Sequence, residues 1–213
     1  MKPEVIASYI DHTLLKPVAT WEQIQALCEE AIQYQTASVC IPSCYMKPVK
    51  DKYGENLVVC TVVGFPLGYG NTESKLEETR QAIKDGADEV DMVINICWVK
   101  NGEYDRVEEE IRALKNACGD KVLKVIIETC YLTKEEKIAM CKAVTNAEAD
   151  FIKTSTGFGD AGATIEDVVL MKENIGENVK IKAAGGIRTK EAMEQYIEAG
   201  CDRIGCSSTA VLF

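Results

Sequence analysis

Short apolar runs alternate with amphipathic segments along almost the whole of this 213-residue chain, and that alternation narrows the fold more than any other feature. The strand-like runs are Ala37–Ile41 (stopped by Pro42), Leu57–Phe65, Glu89–Ile94, Val122–Thr129, Phe151–Thr156, Val179–Ala184 and Arg203–Cys206. Between them, helical spacing predicts helices over Thr72–Asp85, Tyr104–Ala117, Lys134–Val144, Ile165–Asn174 and Lys190–Ala199. A further helix is signalled by Thr20 as N-cap, with Gln23 three residues on and Ile24, Leu27 and Ala31 at helical spacing. Strands that alternate with helices pair in parallel through right-handed crossovers. If Ile10–Thr13 is a strand as well, there are eight, and eight close a (β/α)8 barrel. An open doubly wound sheet would need a Gly-rich nucleotide loop after its first strand, and none is present. The expected fold is therefore α/β, a TIM barrel. It forms a single domain over residues 1–213, with a short N-terminal helical extension and a truncated last helix.

Period-two parity shows what such a barrel would hold inside. Val90, Met92 and Ile94 form the apolar face of one strand, so Asp91 faces the interior. Leu123, Val125 and Ile127 leave Lys124 and Glu128 inside; Ile152 and Thr154 leave Lys153; Ile181 and Ala183 leave Lys182; Val39 and Ile41 leave Cys40. A lone lysine in a strand usually lies at an edge or an end. Here several strands send charge to one axis, and isolated buried charges cost several kcal/mol each, so these groups should pair. Two amines and a carboxylate in one pocket describe a lysine tuned to attack carbonyls.

Composition removes other classes. The formal charge of −10 argues against a nucleic-acid surface. No apolar run approaches the ~20 residues of a membrane helix, and Met1-Lys2-Pro3-Glu4-Val5 does not begin a signal peptide. Ten cysteines scattered singly through apolar runs read as reduced core thiols of a cytoplasmic protein. Cys40 and Cys44 are the one close pair. With no second pair and His12 as the sole histidine, the expectation is no metal and no cofactor.

Six collinear stretches carry a family resemblance: Asp11-His12-Thr13-Leu14-Leu15-Lys16-Pro17, Gly86-Ala87-Asp88-Glu89-Val90-Asp91, Leu123 to Thr129, Phe151 to Gly157, Lys182 to Thr189, and Gly205-Cys206-Ser207-Ser208. On these the chain resembles deoxyribose-phosphate aldolases, which are Schiff-base-forming, metal-free class I aldolases. The resemblance implies reversible cleavage of 2-deoxy-D-ribose 5-phosphate to D-glyceraldehyde 3-phosphate and acetaldehyde. It makes Lys153 the nucleophile, Lys182 the ammonium beside it and Asp91 the acid/base partner. Only a neutral amine attacks a carbonyl, and an ordinary lysine is neutral in roughly one molecule in 2,500 at pH 7. A neighbouring ammonium together with desolvation raises that fraction.

The resemblance also places Asp11, Thr13, Cys40 and Thr156 at the substrate, with Lys124 behind them pairing with Asp91 or Glu128. His12 receives no role beyond strand-end hydrogen bonding. Phosphate is expected at Gly157, Gly185, Gly186, Gly205, Ser207 and Ser208, on backbone N–H groups after the last strands. A dimer or tetramer is implied. Two departures stand out. The chain ends five residues after Ser208, without the C-terminal tyrosine of some relatives, and the stretch Phe158 to Thr164 that follows Gly157 lacks the second lysine some carry there. Two readings compete with the aldolase: another phosphate-binding barrel enzyme, such as an isomerase or a different Schiff-base aldolase, and a sugar-phosphate binder without catalysis.

Overall fold

The computed structural model describes Met1–Phe213. Eight parallel strands pair each with the next, and the eighth returns to the first to close a barrel. They are β1 (Ile10–Thr13), β2 (Ser38–Cys40), β3 (Val59–Val63), β4 (Glu89–Val93), β5 (Val122–Ile126), β6 (Phe151–Lys153), β7 (Lys180–Ala184) and β8 (Arg203–Cys206). The helices are α1 (Pro3–Ala7), α2 (Trp21–Tyr34), α3 (Met46–Tyr53), α4 (Thr72–Lys84), α5 (Ile96–Lys100), α6 (Tyr104–Cys118), α7 (Lys134–Asn146), α8 (Ile165–Asn174) and α9 (Lys190–Ala199). After β8 the chain makes only a 3-10 turn, Thr209–Leu212, which packs against α1. No helix is long and apolar enough to cross a membrane.

Local chemistry sets these boundaries. Thr20 caps α2 in a reciprocal box with Gln23, and Thr133 does the same for α7 with Glu136. Helix α3, which helical spacing did not predict, carries Pro48 in its first turn, where a missing N–H costs no hydrogen bond. Several strands are shorter than the apolar runs that announce them. Gly64, with φ +61°, turns the chain out after β3. Glu128 does so after β5, in the left-handed region at φ 51°, an unusual conformation for a residue with a side chain. Apolar side chains on the outer faces of the strands join those of the helices in one continuous buried cluster.

One charged pair lies outside the barrel, in the helical layer. Lys75 of α4 is fully buried; its Nζ donates to the Val93 carbonyl at 2.8 Å and to Glu110 Oε2 of α6 at 2.9 Å. Burial pushes the Lys75 ammonium down from its ordinary value, and the Glu110 carboxylate opposes that only in part. Removing one partner strands the other charge, whereas replacing both with apolar side chains removes the imbalance. Lys75→Met should cost about 3–5 kcal/mol in urea unfolding, and Lys75→Met combined with Glu110→Leu should recover most of it.

Candidate active site

Asp91, on the inner face of β4, is the meeting point of three amines. Its Oδ1 accepts from Lys124 Nζ of β5 at 2.9 Å, and its Oδ2 accepts from Lys153 Nζ of β6 and Lys182 Nζ of β7, each at 2.7 Å. Strand register brings them together: Asp91 is level with Lys124, and Lys153 is level with Lys182. Sharing one oxygen keeps the Lys153 and Lys182 nitrogens within twice that distance of each other. The structure thus brings the two amines and the carboxylate together, with one carboxylate oxygen bonded to both amines.

From Asp91 the contacts run in a closed loop of alternating sign. Lys182 Nζ lies 2.5 Å from Asp11 Oδ2, an ion pair without hydrogen-bond alignment. Asp11 also takes the Arg203 guanidinium, whose Nη2 and Nη1 reach the two Glu89 oxygens at 2.9 and 3.2 Å. Glu89 Oε2 is 2.6 Å from Lys124 Nζ, which returns to Asp91. Three carboxylates and three cations from β1, β4, β5, β7 and β8 close this ring, and Lys153 is a fourth cation attached to it. Burial raises the Asp11 and Asp91 carboxyls, but attraction from Lys124 joined by Lys182 and Arg203 at Asp11, and by Lys153 and Lys182 at Asp91, outweighs it. Both are held well below the usual carboxylate range. Burial lowers the Lys124 and Lys182 ammoniums, yet Asp11 and Asp91 lift both above their ordinary values.

Above the ring, at the C-terminal end of the barrel where enzymes of this fold carry their chemistry, lies a cavity of about 340 Å³. Lys153 lines it, together with Thr13, Thr156, Gly157, Gly185, Gly186, Gly205 and Ser207. Gly157, Gly185 and Gly186 have φ of +84°, +89° and +82°, and a Cβ on Gly185 would come within 2.9 Å of the Gly162 backbone, so that position needs to be bare. Asp91, Lys182, Asp11, Lys124 and Cys40 do not line the cavity; they are fully buried beneath it. Ser208 also lies off the wall. Its backbone N–H, expected to face phosphate, donates to Cys206 Sγ at 3.3 Å. Lys124 pairs with Asp91, Glu89 and Asp11, and not with Glu128.

Glu128 instead turns its carboxylate to Thr156, accepting from both its N–H and its hydroxyl. Burial raises the Glu128 carboxyl, against the lowering effect of those Thr156 hydrogen bonds. Cys40, Cys60 and Asp91 bring donor atoms within 4.8 Å of one another, the one group of metal-ligating type. Lys124 Nζ already sits 3.3 Å from Cys60 Sγ and 2.9 Å from Asp91 Oδ1, so a metal cation there would meet an ammonium. Cys44 is exposed on the next turn, while Cys40 is buried.

The reading from sequence passed over Glu89 and Arg203, although the same parity that exposes Asp91 puts both inside. It also passed over Lys16 and Arg188, which line the cavity rim without an ion-pair partner. No spacing rule marks a loop cation as facing a cavity.

The family model for DeoC/LacD family aldolases matches residues 5–207. The chain belongs to that family. A deoxyribose-phosphate aldolase of Clostridium botulinum (strain Alaska E43 / Type E3) is 64% identical over 202 residues, covering 95% of this chain and 91% of the relative. One from Clostridioides difficile (strain 630) is 55% identical over 203 residues, covering 95% and 93%. The solved deoxyribose phosphate aldolase of Aeropyrum pernix, described as a unique tetramer, superposes with a TM-score of 0.92 at 31% identity, over 99% of this chain and 91% of that one. The family match takes in every member of the ring, from Asp11 to Arg203.

The ring makes this aldolase's stability depend on pH with a definite sign. Asp11 and Asp91 are depressed by folding, so their contribution is complete above the unfolded value of ~3.9 and is lost as pH falls further. Lys124 and Lys182 are raised, so theirs is complete below ~10.4 and is lost at higher pH. Denaturant titrations should give a plateau between about pH 5 and pH 9 that falls at both ends, and Asp11→Asn should flatten the acid limb. A parent protein that loses stability steadily from pH 5 to pH 8 would contradict this.

Proposed function

We propose that the chain, acting as one catalytic domain over residues 1–213, reversibly cleaves 2-deoxy-D-ribose 5-phosphate to D-glyceraldehyde 3-phosphate and acetaldehyde. The reaction runs through a Schiff base on Lys153. The observation that carries this reading is that Lys153 alone among the four interior cations reaches the cavity, while its Nζ remains bonded to a carboxylate. The three cations of the ring are balanced without it.

In the cleavage direction the Lys153 nitrogen adds to the C1 aldehyde of the open-chain sugar. Water leaves and an iminium forms. Loss of the C3 hydroxyl proton breaks the C2–C3 bond, its electron pair moves into the iminium as an enamine, and glyceraldehyde 3-phosphate departs. The enamine takes a proton at C2, and hydrolysis releases acetaldehyde and restores the amine. Asp91 and Lys182 hold and move protons at the nitrogen. While clamped by three ammonium groups Asp91 is a feeble base. It gains basicity when Lys153 gives up its charge, which times its action to the covalent steps.

Phosphate is assigned to the opposite side of the cavity, to the amides around Gly157, Gly185, Gly186 and Gly205 and to Ser207, with Lys16 and Arg188 as rim cations. Phe158, directly after Gly157, meets Phe65 edge-on, with ring centroids 5.3 Å apart. We also propose a homo-oligomer, by analogy with the tetrameric Aeropyrum pernix relative, and a cytoplasmic setting, in keeping with ten free cysteines. Borohydride reduction with acetaldehyde present should fix the adduct on Lys153, read by peptide mass. Lys153→Ala should abolish both adduct and acetaldehyde release; labelling at another lysine would sink the assignment. Arg188→Gln should raise KM for the phosphorylated sugar about ten-fold, read by steady-state kinetics, because a charge-assisted contact is lost.

A further inference from the structure

We propose that His12 is a positioning residue for the phosphate end of the cavity and acts through Thr209. Its neighbours Asp11 and Thr13 point to the barrel interior, so His12 points outward, behind the wall of the site. It is the only histidine in the chain and is 2% exposed. Both ring nitrogens are engaged: Nε2 with Glu30 Oε2 of α2 at 2.9 Å, and Nδ1 with Thr209 Oγ1 at 2.9 Å. A carboxylate only accepts, so Nε2 carries the proton toward Glu30, and in the neutral ring Nδ1 then accepts from the Thr209 hydroxyl.

The consequence lies in what Thr209 adjoins. Thr209 is fully buried and opens the turn that follows Ser207 and Ser208. On the other side of those two serines, Cys206 ends β8 in register with His12 itself. The two-residue segment is therefore tied at both ends to one residue of β1: through the sheet at Cys206 and through the imidazole at Thr209. Gly205, Cys206 and Ser207 form the cavity wall here, and His12 does not line it. A purely structural histidine would affect stability alone. One that sets the wall affects the ligand that touches the wall, and only that ligand.

This inference rests on the phosphate reading given above, and the test separates the two. The amide of Asn overlays the Nδ1 side of an imidazole, and that of Gln overlays the Nε2 side. His12→Asn therefore keeps the Thr209 bond and His12→Gln loses it; Thr209→Val removes it from the other side with little change of shape. KM for 2-deoxyribose 5-phosphate should rise about three- to ten-fold in His12→Gln and in Thr209→Val, the worth of one hydrogen bond, with kcat within about two-fold. KM for unphosphorylated 2-deoxyribose should stay put. His12→Asn should restore the parent values, and Glu30→Gln should leave them unchanged. Calorimetry with inorganic phosphate reads the same wall without turnover and should show the same ranking. If the parent binds phosphate but cleaves neither sugar, the proposed reaction fails while the phosphate ranking still decides the role of His12. Equal changes for both sugars, no change in any variant, or no phosphate binding by the parent would overturn the inference.

Discussion

Everything inside the barrel hangs on the Asp91 carboxylate, which takes hydrogen bonds from three lysines on three different strands. A buried carboxylate and buried ammonium groups each cost several kcal/mol when unpaired, so neither could be kept without the others. The solution here is a closed circuit in which Asp91, Lys182, Asp11, Arg203, Glu89 and Lys124 follow one another with alternating sign. The circuit ties together five strands and is neutral. Lys153 is attached at one corner, and it is the only member that meets the cavity. Structure and reactivity thus have one electrostatic origin. The balanced part holds the barrel, and the cation outside that circuit is Lys153, the nitrogen proposed to form the Schiff base.

Much of this was legible in the residues, because a strand has a period of two and a barrel strand needs one apolar face. That rule alone turns Asp91, Lys124, Lys153 and Lys182 inward, and applied to the first residues of β4 and β8 it would have done the same for Glu89 and Arg203. Parity says nothing of depth along the axis, however. Asp11 and Cys40 were expected at the substrate and lie below the cavity. Nor does parity say which oxygen a lysine meets, so the single Asp91 oxygen shared by Lys153 and Lys182 had no signal. Apolar runs overstate strand length where a backbone turn follows, as at Gly64 and Glu128. Ser208 shows the opposite failure: turn chemistry was read correctly, but a sulfur atom two residues back takes the N–H assigned to phosphate.

The chain is acidic as a whole, yet the cavity that would take a phosphate dianion is locally favourable to it. Backbone N–H groups, bare glycines and two unpaired loop cations, Lys16 and Arg188, gather there. Local dipoles and a few nearby charges decide the potential at such a site, and a net charge of −10 spread over the surface is screened within about 10 Å at ordinary ionic strength.

The edge-on contact between Phe65 and Phe158 joins the loops after β3 and β6 at the mouth of the barrel. Neither ring belongs to the charged circuit, so the width of that entrance and the proposed acid–base machinery under it are built from separate parts. Substrate breadth can then drift, or be bred in the laboratory, by repacking two benzene rings while the proton chemistry is left untouched.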